Sequence, residues 1–170
     1  SYGDLWDNGN RVAAELIARG MAPGDRFALL MRNHQEFIDV MVGASISACV
    51  FVPIDPRSRG RKLAYTLTNS DCRGIICADY CLDQVVEIRA QLPDLEWILV
   101  MDSEDGPGRQ QVAGIAGAET MACVYDRPAT AVNNRLKSPF DPLEIVYTSG
   151  TTGDPKGVVF QNARYGNSIL

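Results

Sequence analysis

Short apolar runs separated by stretches of helical spacing constrain this chain more than any other feature. Phe27–Met31, Cys49–Val52, Ile75–Cys77, Trp97–Met101 and Leu143–Tyr147 are nearly continuous in apolar side chains. A strand covered on both faces has that composition, whereas a solvated face would force alternation. Between these runs the period changes. Ser1 and Asp4 stand at capping-box spacing, Leu5, Val12, Leu16 and Ile17 recur as on one helix face, and Gly20 is a natural stop. Gly24 and Asp25 turn the chain into the first strand. Asn33 with Glu36 is a second helix start, and the segment that follows, through about Ser47, is apolar nearly all round, as a buried helix is. Pro53 limits the second strand. The basic stretch Arg57 to Lys62 leads into a helix with Leu63 and Leu67 one turn apart. Leu82, Val85, Val86 and Ile88 mark another, with Pro93 beyond its end. Alternation of this kind predicts an α/β fold, a mainly parallel sheet flanked by helices.

The remaining segments are less regular. Asp102 to Gly117 holds Gly106, Pro107, Gly108, Gly114 and Gly117 and reads as a surface loop with room for a short helix. Tyr125 to Pro142 is broken by Pro128, Pro139 and Pro142 and has no assignable period. Val158 to Phe160 is again extended, and a last helix begins near Asn162. No internal repeat or low-complexity tract interrupts the pattern.

A length of 170 residues fits one domain and buries about 70% of the unfolded surface. Sixteen Lys and Arg against 21 Asp and Glu leave a net charge of −5, which argues against a broad nucleic-acid or anionic-membrane surface. The longest uncharged run, Val40 to Ile54, is short of the roughly 20 apolar residues that span a bilayer. The chain opens directly into helical pattern at Ser1, with no Met and no basic-then-apolar leader, and so reads as a trimmed segment. Its five cysteines, Cys49, Cys72, Cys77, Cys81 and Cys123, do not form a disulfide framework. The spacing of Cys72, Cys77 and Cys81 does not match a zinc site, the only histidine, His34, is far away in sequence, and no metal ligands are assigned. A reducing cytoplasm is the expected location.

One segment carries chemistry. Tyr147-Thr148-Ser149-Gly150-Thr151-Thr152-Gly153-Asp154-Pro155-Lys156-Gly157 has four hydroxyl side chains within the six residues from Thr148, three glycines and one lysine, between two apolar strands. Glycines let backbone approach an anion closely, successive N–H groups can converge on it, hydroxyls add donors, and Lys156 adds a compact cation. That is a polyphosphate cradle. The same composition also suits an ordinary Gly-rich hairpin loop between Tyr147 and Val158. It is not a Walker A loop, because Lys156 follows Pro155 and precedes Gly157 instead of preceding a hydroxyl residue. Gly106 and Gly108 lack the third glycine and the strand–helix setting of a dinucleotide fingerprint.

The stretch Ile145 to Lys156, I-V-Y-T-S-G-T-T-G-D-P-K, resembles the phosphate-binding signature of the AMP-forming adenylating superfamily. That superfamily includes acyl-CoA synthetases, nonribosomal peptide synthetase adenylation domains and firefly luciferase. Ser1-Tyr2-Gly3-Asp4-Leu5 resembles its opening helix and Gly24 to Leu29 its first strand. Ala44 to Pro56 resembles the next helix-to-strand passage, and Leu63-Ala64-Tyr65 with Asn69-Ser70 the helix after it. The resemblance implies a two-step reaction: a carboxylate attacks the α-phosphorus of Mg·ATP, pyrophosphate leaves, and the acyl-adenylate is captured by a thiol such as CoA. ATP, Mg2+ and CoA are the implied cofactors and co-substrates. By resemblance, Thr148, Ser149, Gly150, Thr151, Thr152 and Gly153 wrap the β- and γ-phosphates, Lys156 neutralises the leaving pyrophosphate, and Lys156 with Thr148 are the candidate catalytic residues. Asp154 falls where the pattern is permissive and is expected to face solvent. The loop is expected to be mobile without nucleotide.

Where relatives often carry a hydroxyl residue and a histidine, this chain has Gln161-Asn162-Ala163-Arg164, which weakens any transfer of substrate contacts from that helix. The remaining family site residues would lie beyond Leu170. Residues 1–170 are therefore expected to be a partial N-terminal adenylate-forming domain without the small C-terminal domain, and inactive alone. An acid:CoA ligase is the favoured reading. An amino-acid-activating adenylation domain and a truncated, non-catalytic nucleotide-binding module are the alternatives. Elsewhere, His34 reads as a solvated residue of a helix start. Arg57, Arg59, Arg61 and Lys62 read as a solvated helix start, with anion binding as the other possibility. Asp39 reads as a buried structural hydrogen-bonding group, and Trp6 and Trp97 as packing residues.

Overall fold

The computed structural model describes residues 1–103, 112–148 and 154–167. Among them, seven strands form one sheet: β1 (Arg26–Leu30), β2 (Val50–Ile54), β3 (Cys72–Ala78), β4 (Trp97–Met101), β5 (Ala118–Thr120), β6 (Pro142–Thr148) and β7 (Lys156–Gln161). Their order is β5-β4-β3-β1-β2-β6-β7. Each neighbouring pair is parallel except β6 and β7, which are antiparallel. The helices are α1 (Tyr2–Ala18), α2 (Gln35–Ser47), α3 (Gly60–Asn69), α4 (Leu82–Ile88), α5 (Ala122–Tyr125) and α6 (Asn162–Asn167).

The helices divide between the two faces. One face of the sheet presents Phe27, Leu29, Phe51 and Leu99 to Val12 and Leu16 of α1 and Val40 and Ala44 of α2. The other presents Ala28, Val52, Ile75 and Ile98 to Leu63 and Leu67 of α3 and Leu82 and Val85 of α4. Successive side chains of one strand thus serve opposite cores, which is why the apolar runs had to be continuous.

The first helix starts as its sequence requires. The Ser1 hydroxyl accepts the Asp4 N–H, and the Asp4 carboxylate accepts in return from Ser1. Gly20, at φ +77°, follows the helix end. Where α1 crosses α2, Gly9 and Gly43 bring the backbones together. A Cβ on Gly43 would lie 2.5 Å from Val12 Cγ1 and 3.0 Å from the Gly9 carbonyl oxygen.

Several expectations need correction. The N-cap of α2 is His34, not Asn33, and no side-chain cap bond forms there. Pro53 lies inside β2 rather than limiting it. The register pair of β2 with β6 is Phe51 with Glu144, two residues earlier, so the missing N–H does not break that ladder. The short strand β5 and the single turn α5 have no sequence signal of their own. Trp97 is buried against Phe27, as a packing residue should be. Trp6, by contrast, is 54% exposed. No helix among the described residues is long and apolar enough to cross a membrane.

Chain reversal marks the edge at which a ligand site is to be sought. From β1 the chain crosses to β2 over the α2 face. It then returns past β1 to β3 over the α3 face. In open α/β sheets, ligands bind beyond the carboxyl ends of strands near such a reversal. β6 is parallel to β2, so Thr148 ends on that same edge.

Candidate functional site

The chemistry-bearing segment is the turn of the β6–β7 hairpin. Its register pairs Ile145 with Val159, Val146 with Val158, Tyr147 with Gly157 and Thr148 with Lys156. Directly opposed residues project from the same face. The last rung therefore sets the Thr148 and Lys156 side chains on one face at the hairpin mouth, both exposed. Ser149, Gly150, Thr151, Thr152 and Gly153 lie outside the described residues, as does the expected mobility of the loop. The hairpin and the cradle readings of the sequence are compatible: the segment is a hairpin, and its mouth carries a donor and a cation.

Local packing fixes that mouth to α3. Ile145 and Tyr147 face the α3 core, so by alternation Thr148 and Lys156 leave on the opposite face. A Cβ on Gly157 would stand 2.8 Å from Ile145 Cγ2 and 3.3 Å from Tyr147 Cζ. Glycine there leaves room for the Tyr147 ring, whose hydroxyl donates to Asn69 Oδ1 at 2.6 Å, at the last residue of α3. At the other end of α3, Arg61 Nη2 lies 3.6 Å from Asp154 Oδ1, on the return limb of the loop. Asp154 is exposed, as expected, but it does not stand alone.

The departure at Gln161-Asn162-Ala163-Arg164 has a structural use that the sequence did not reveal. Asn162 Oδ1 accepts from the Ser45 hydroxyl at 2.7 Å, and its amide donates to the Asp141 carbonyl at 3.1 Å. Asn162 thereby pins the start of α6 to α2. The Arg164 guanidinium lies 4.5 Å from the centre of the Phe160 ring.

The basic stretch before α3 is solvated. Arg57 pairs with Asp55, whose carboxyl the Arg57 hydrogen bonds hold down to about 2. The side chain of Arg61 is 89% exposed.

His34 is not the solvated residue expected. It is half-buried, and its Nε2 lies 2.9 Å from the Tyr80 hydroxyl, which also accepts the Arg32 backbone N–H at 2.8 Å. The Arg32 guanidinium covers the Tyr80 ring at 4.9 Å. The partner comes from 46 residues away, so no local pattern could announce it.

Asp39 is the buried hydrogen-bonding group expected. One oxygen accepts from Asn8 Nδ2 at 3.0 Å and from the Tyr125 hydroxyl at 3.2 Å. Burial raises its pKa, against the lowering effect of those two bonds.

Burial pushes the Cys72 thiol up to about 12 and Cys81 up to about 11, so both are inert thiols. Among the described residues, no three His, Cys, Asp or Glu side chains gather where they could hold a metal ion. A cavity of about 390 Å³ between Arg26, Leu67, Cys72, Arg73, Leu92 and Leu95 opens at the amino-terminal edge of the sheet, away from the hairpin.

Known proteins resemble this chain in sequence and in fold. The long-chain-fatty-acid–CoA ligase FadD13 of Mycobacterium tuberculosis is 35% identical over 164 residues, covering 94% of this chain and 29% of the relative. The 4-hydroxybutyrate–CoA ligase 2 of Metallosphaera sedula is 27% identical over 160 residues, again covering 94% of the chain and 29% of the relative. The anthranilate CoA ligase AuaEII, solved with anthranoyl-AMP, superposes with a TM-score of 0.84 at 24% identity, over 96% of this chain and 30% of that one. Acetoacetyl-CoA synthetase from Streptomyces lividans superposes at 0.82 with 22% identity, over 95% of this chain and 25% of that one. At such identities the two structures speak for the fold. The chain spans about 29% of the length of the curated relatives it matches. The family profile for AMP-binding enzymes matches residues 1–170 throughout, and with the parallel sheet, the loop hairpin and these relatives it establishes that the chain belongs to the AMP-binding enzyme family.

Proposed function

We propose that this chain is the N-terminal part of an ATP-dependent acid:CoA ligase, acting in a reducing cytoplasm. The observation that carries the reading is the last rung of the hairpin. It sets Thr148 opposite Lys156 at the carboxyl edge of a sheet whose fold is shared with CoA ligases. The named relatives are CoA ligases, which favours this reading over an amino-acid-activating domain.

The chemistry follows from charge. A carboxylate oxygen attacks the α-phosphorus of ATP, the bond to the bridging oxygen breaks, and negative charge grows on the departing pyrophosphate. Lys156 meets that charge as it develops, and Thr148 donates a hydrogen bond to a phosphate oxygen. Interactions that strengthen as the bond breaks lower the barrier instead of merely tightening binding. Ser149, Gly150, Thr151, Thr152 and Gly153 complete the cradle in this reading, with backbone N–H groups and hydroxyls as donors. In this reading Mg2+ enters as part of the Mg·ATP substrate. CoA is the co-substrate that captures the acyl group from the adenylate.

The test is carboxylate-dependent ATP–pyrophosphate exchange by the full-length protein, across medium- and long-chain fatty acids, 4-hydroxybutyrate and anthranilate. Lys156→Ala should remove about 2–4 kcal/mol of transition-state stabilisation. That slows exchange roughly 30- to 1000-fold, with the melting temperature unchanged because the side chain is exposed. An unaltered exchange rate would falsify the role.

A further inference from the structure

The basic stretch before α3 and the carboxylate of Asp154 are two features that the phosphate loop leaves unused, and the fold brings them together. Arg61 is the second residue of α3, and its guanidinium stops 3.6 Å from Asp154, two positions before Lys156. We propose that Arg61 is a second cationic ligand of the polyphosphate, parked beside the loop on Asp154 and handed to the nucleotide when it binds. This rests on the ATP reading above.

Three observations support it. The pair is long and open, with side-chain exposures of 89% for Arg61 and 55% for Asp154. An ion pair of that kind is held loosely, since water screens both groups. A triphosphate, with several negative charges and oxygens placed for two-pronged binding, competes well against one carboxylate for a guanidinium. Arg61 also approaches from the α3 side of the hairpin, whereas Lys156 leaves on the other face. A polyphosphate lying across the mouth therefore meets a cation from each side. Finally, Arg59 at the start of α3 makes no side-chain cap, so the first N–H groups of the helix add partial positive charge to the same corner.

The idea separates from a merely structural ion pair by the sign of two variants. In the full-length protein, Arg61→Ala should raise the KM for ATP about three- to tenfold, with kcat and the KM for the carboxylate nearly unchanged. Arg61→Lys should restore part of the loss. Asp154→Asn should do the opposite: it removes the competitor and a repulsive charge, and lowers the KM for ATP about twofold. A structural pair would instead move both variants in the same direction, with a lower melting temperature.

The proposal is overturned if Arg61→Ala leaves the KM for ATP within twofold of wild type, or if Asp154→Asn raises it. The controls distinguish two failures. If Lys156→Ala slows exchange while Arg61→Ala changes nothing, only the role of Arg61 falls. If the wild-type protein exchanges no pyrophosphate with any acid of the panel, the ligase reading falls and takes this one with it.

Discussion

Asp39 shows how a single buried group ties the fold to pH. Burial raises its pKa above the ordinary aspartate value, so the folded chain holds this proton more tightly than the unfolded chain does. Its contribution to stability is complete below about pH 3.9 and is lost as pH rises through the raised value. Asp25 and Asp55 act in the opposite sense, because their pKa values are lowered by hydrogen bonds that include arginine partners. Comparing one variant with wild type isolates Asp39. An amide at this position would keep an oxygen for Asn8 and Tyr125, so Asp39→Asn should melt progressively higher than wild type as pH rises from about 4 to 7. A difference that stays flat across that range would show that the carboxyl titrates alike in both states. At this scale the sequence was legible where burial follows from residue type and local pattern, as at Asp39 and Trp97. It was silent where a side chain depends on a distant neighbour. His34 needed Tyr80, and the Arg61–Asp154 contact joins positions 93 residues apart in number.

Among elements, the crossing of α1 over α2 is a close approach that a small change would disturb. Gly43→Ala gains about 1 kcal/mol of helix propensity. The added methyl would also press on Val12 and on the Gly9 carbonyl, and backbone cannot rotate away as a side chain can. Overpacking of this kind costs about 1–3 kcal/mol. The clash should prevail, and thermal melting of the variant should show a net loss of up to about 2 kcal/mol. A variant as stable as wild type would mean that the two helices can separate freely. The alternation of apolar runs and helical spacing made β1 to β4, β6 and α1 to α4 readable. What escaped were elements too short to have a period, β5 and α5. The antiparallel course of β7 follows from one of the two readings of the Gly-rich segment, a hairpin loop between Tyr147 and Val158, because a hairpin reverses the chain.

For the whole molecule, the two edges of one sheet carry different features. The carboxyl edge holds the hairpin mouth, while the amino edge holds the 390 Å³ cavity, which the proposed reaction does not use. The 170 residues cover 29% of the length of the ligases they resemble, and the proposed reaction needs groups to bind the acid, the adenine and CoA besides the polyphosphate. The isolated 170-residue chain is therefore expected to form no acyl-CoA when supplied with ATP, CoA and the same acids. Any accumulation of thioester in that assay would show that this part carries a complete site. The general architecture was readable in advance because layers, crossovers and strand burial all follow from patterning. The division of roles between edges was not, since it depends on where the chain reverses.

The rung that couples Thr148 to Lys156 also has a consequence for how such a chain can change over time. Residues gained or lost within the turn leave that rung in register, because the ladder below it is set by β6 and β7 themselves. A single residue gained or lost inside β7 is different: the side chains on one side of the change exchange faces, so Lys156 and the strand beyond it can no longer both keep their sides. Natural variation in length should therefore be purged from the strand by its register and from the turn by the cradle proposed there, so that one hairpin acts as a filter on which insertions a lineage can keep.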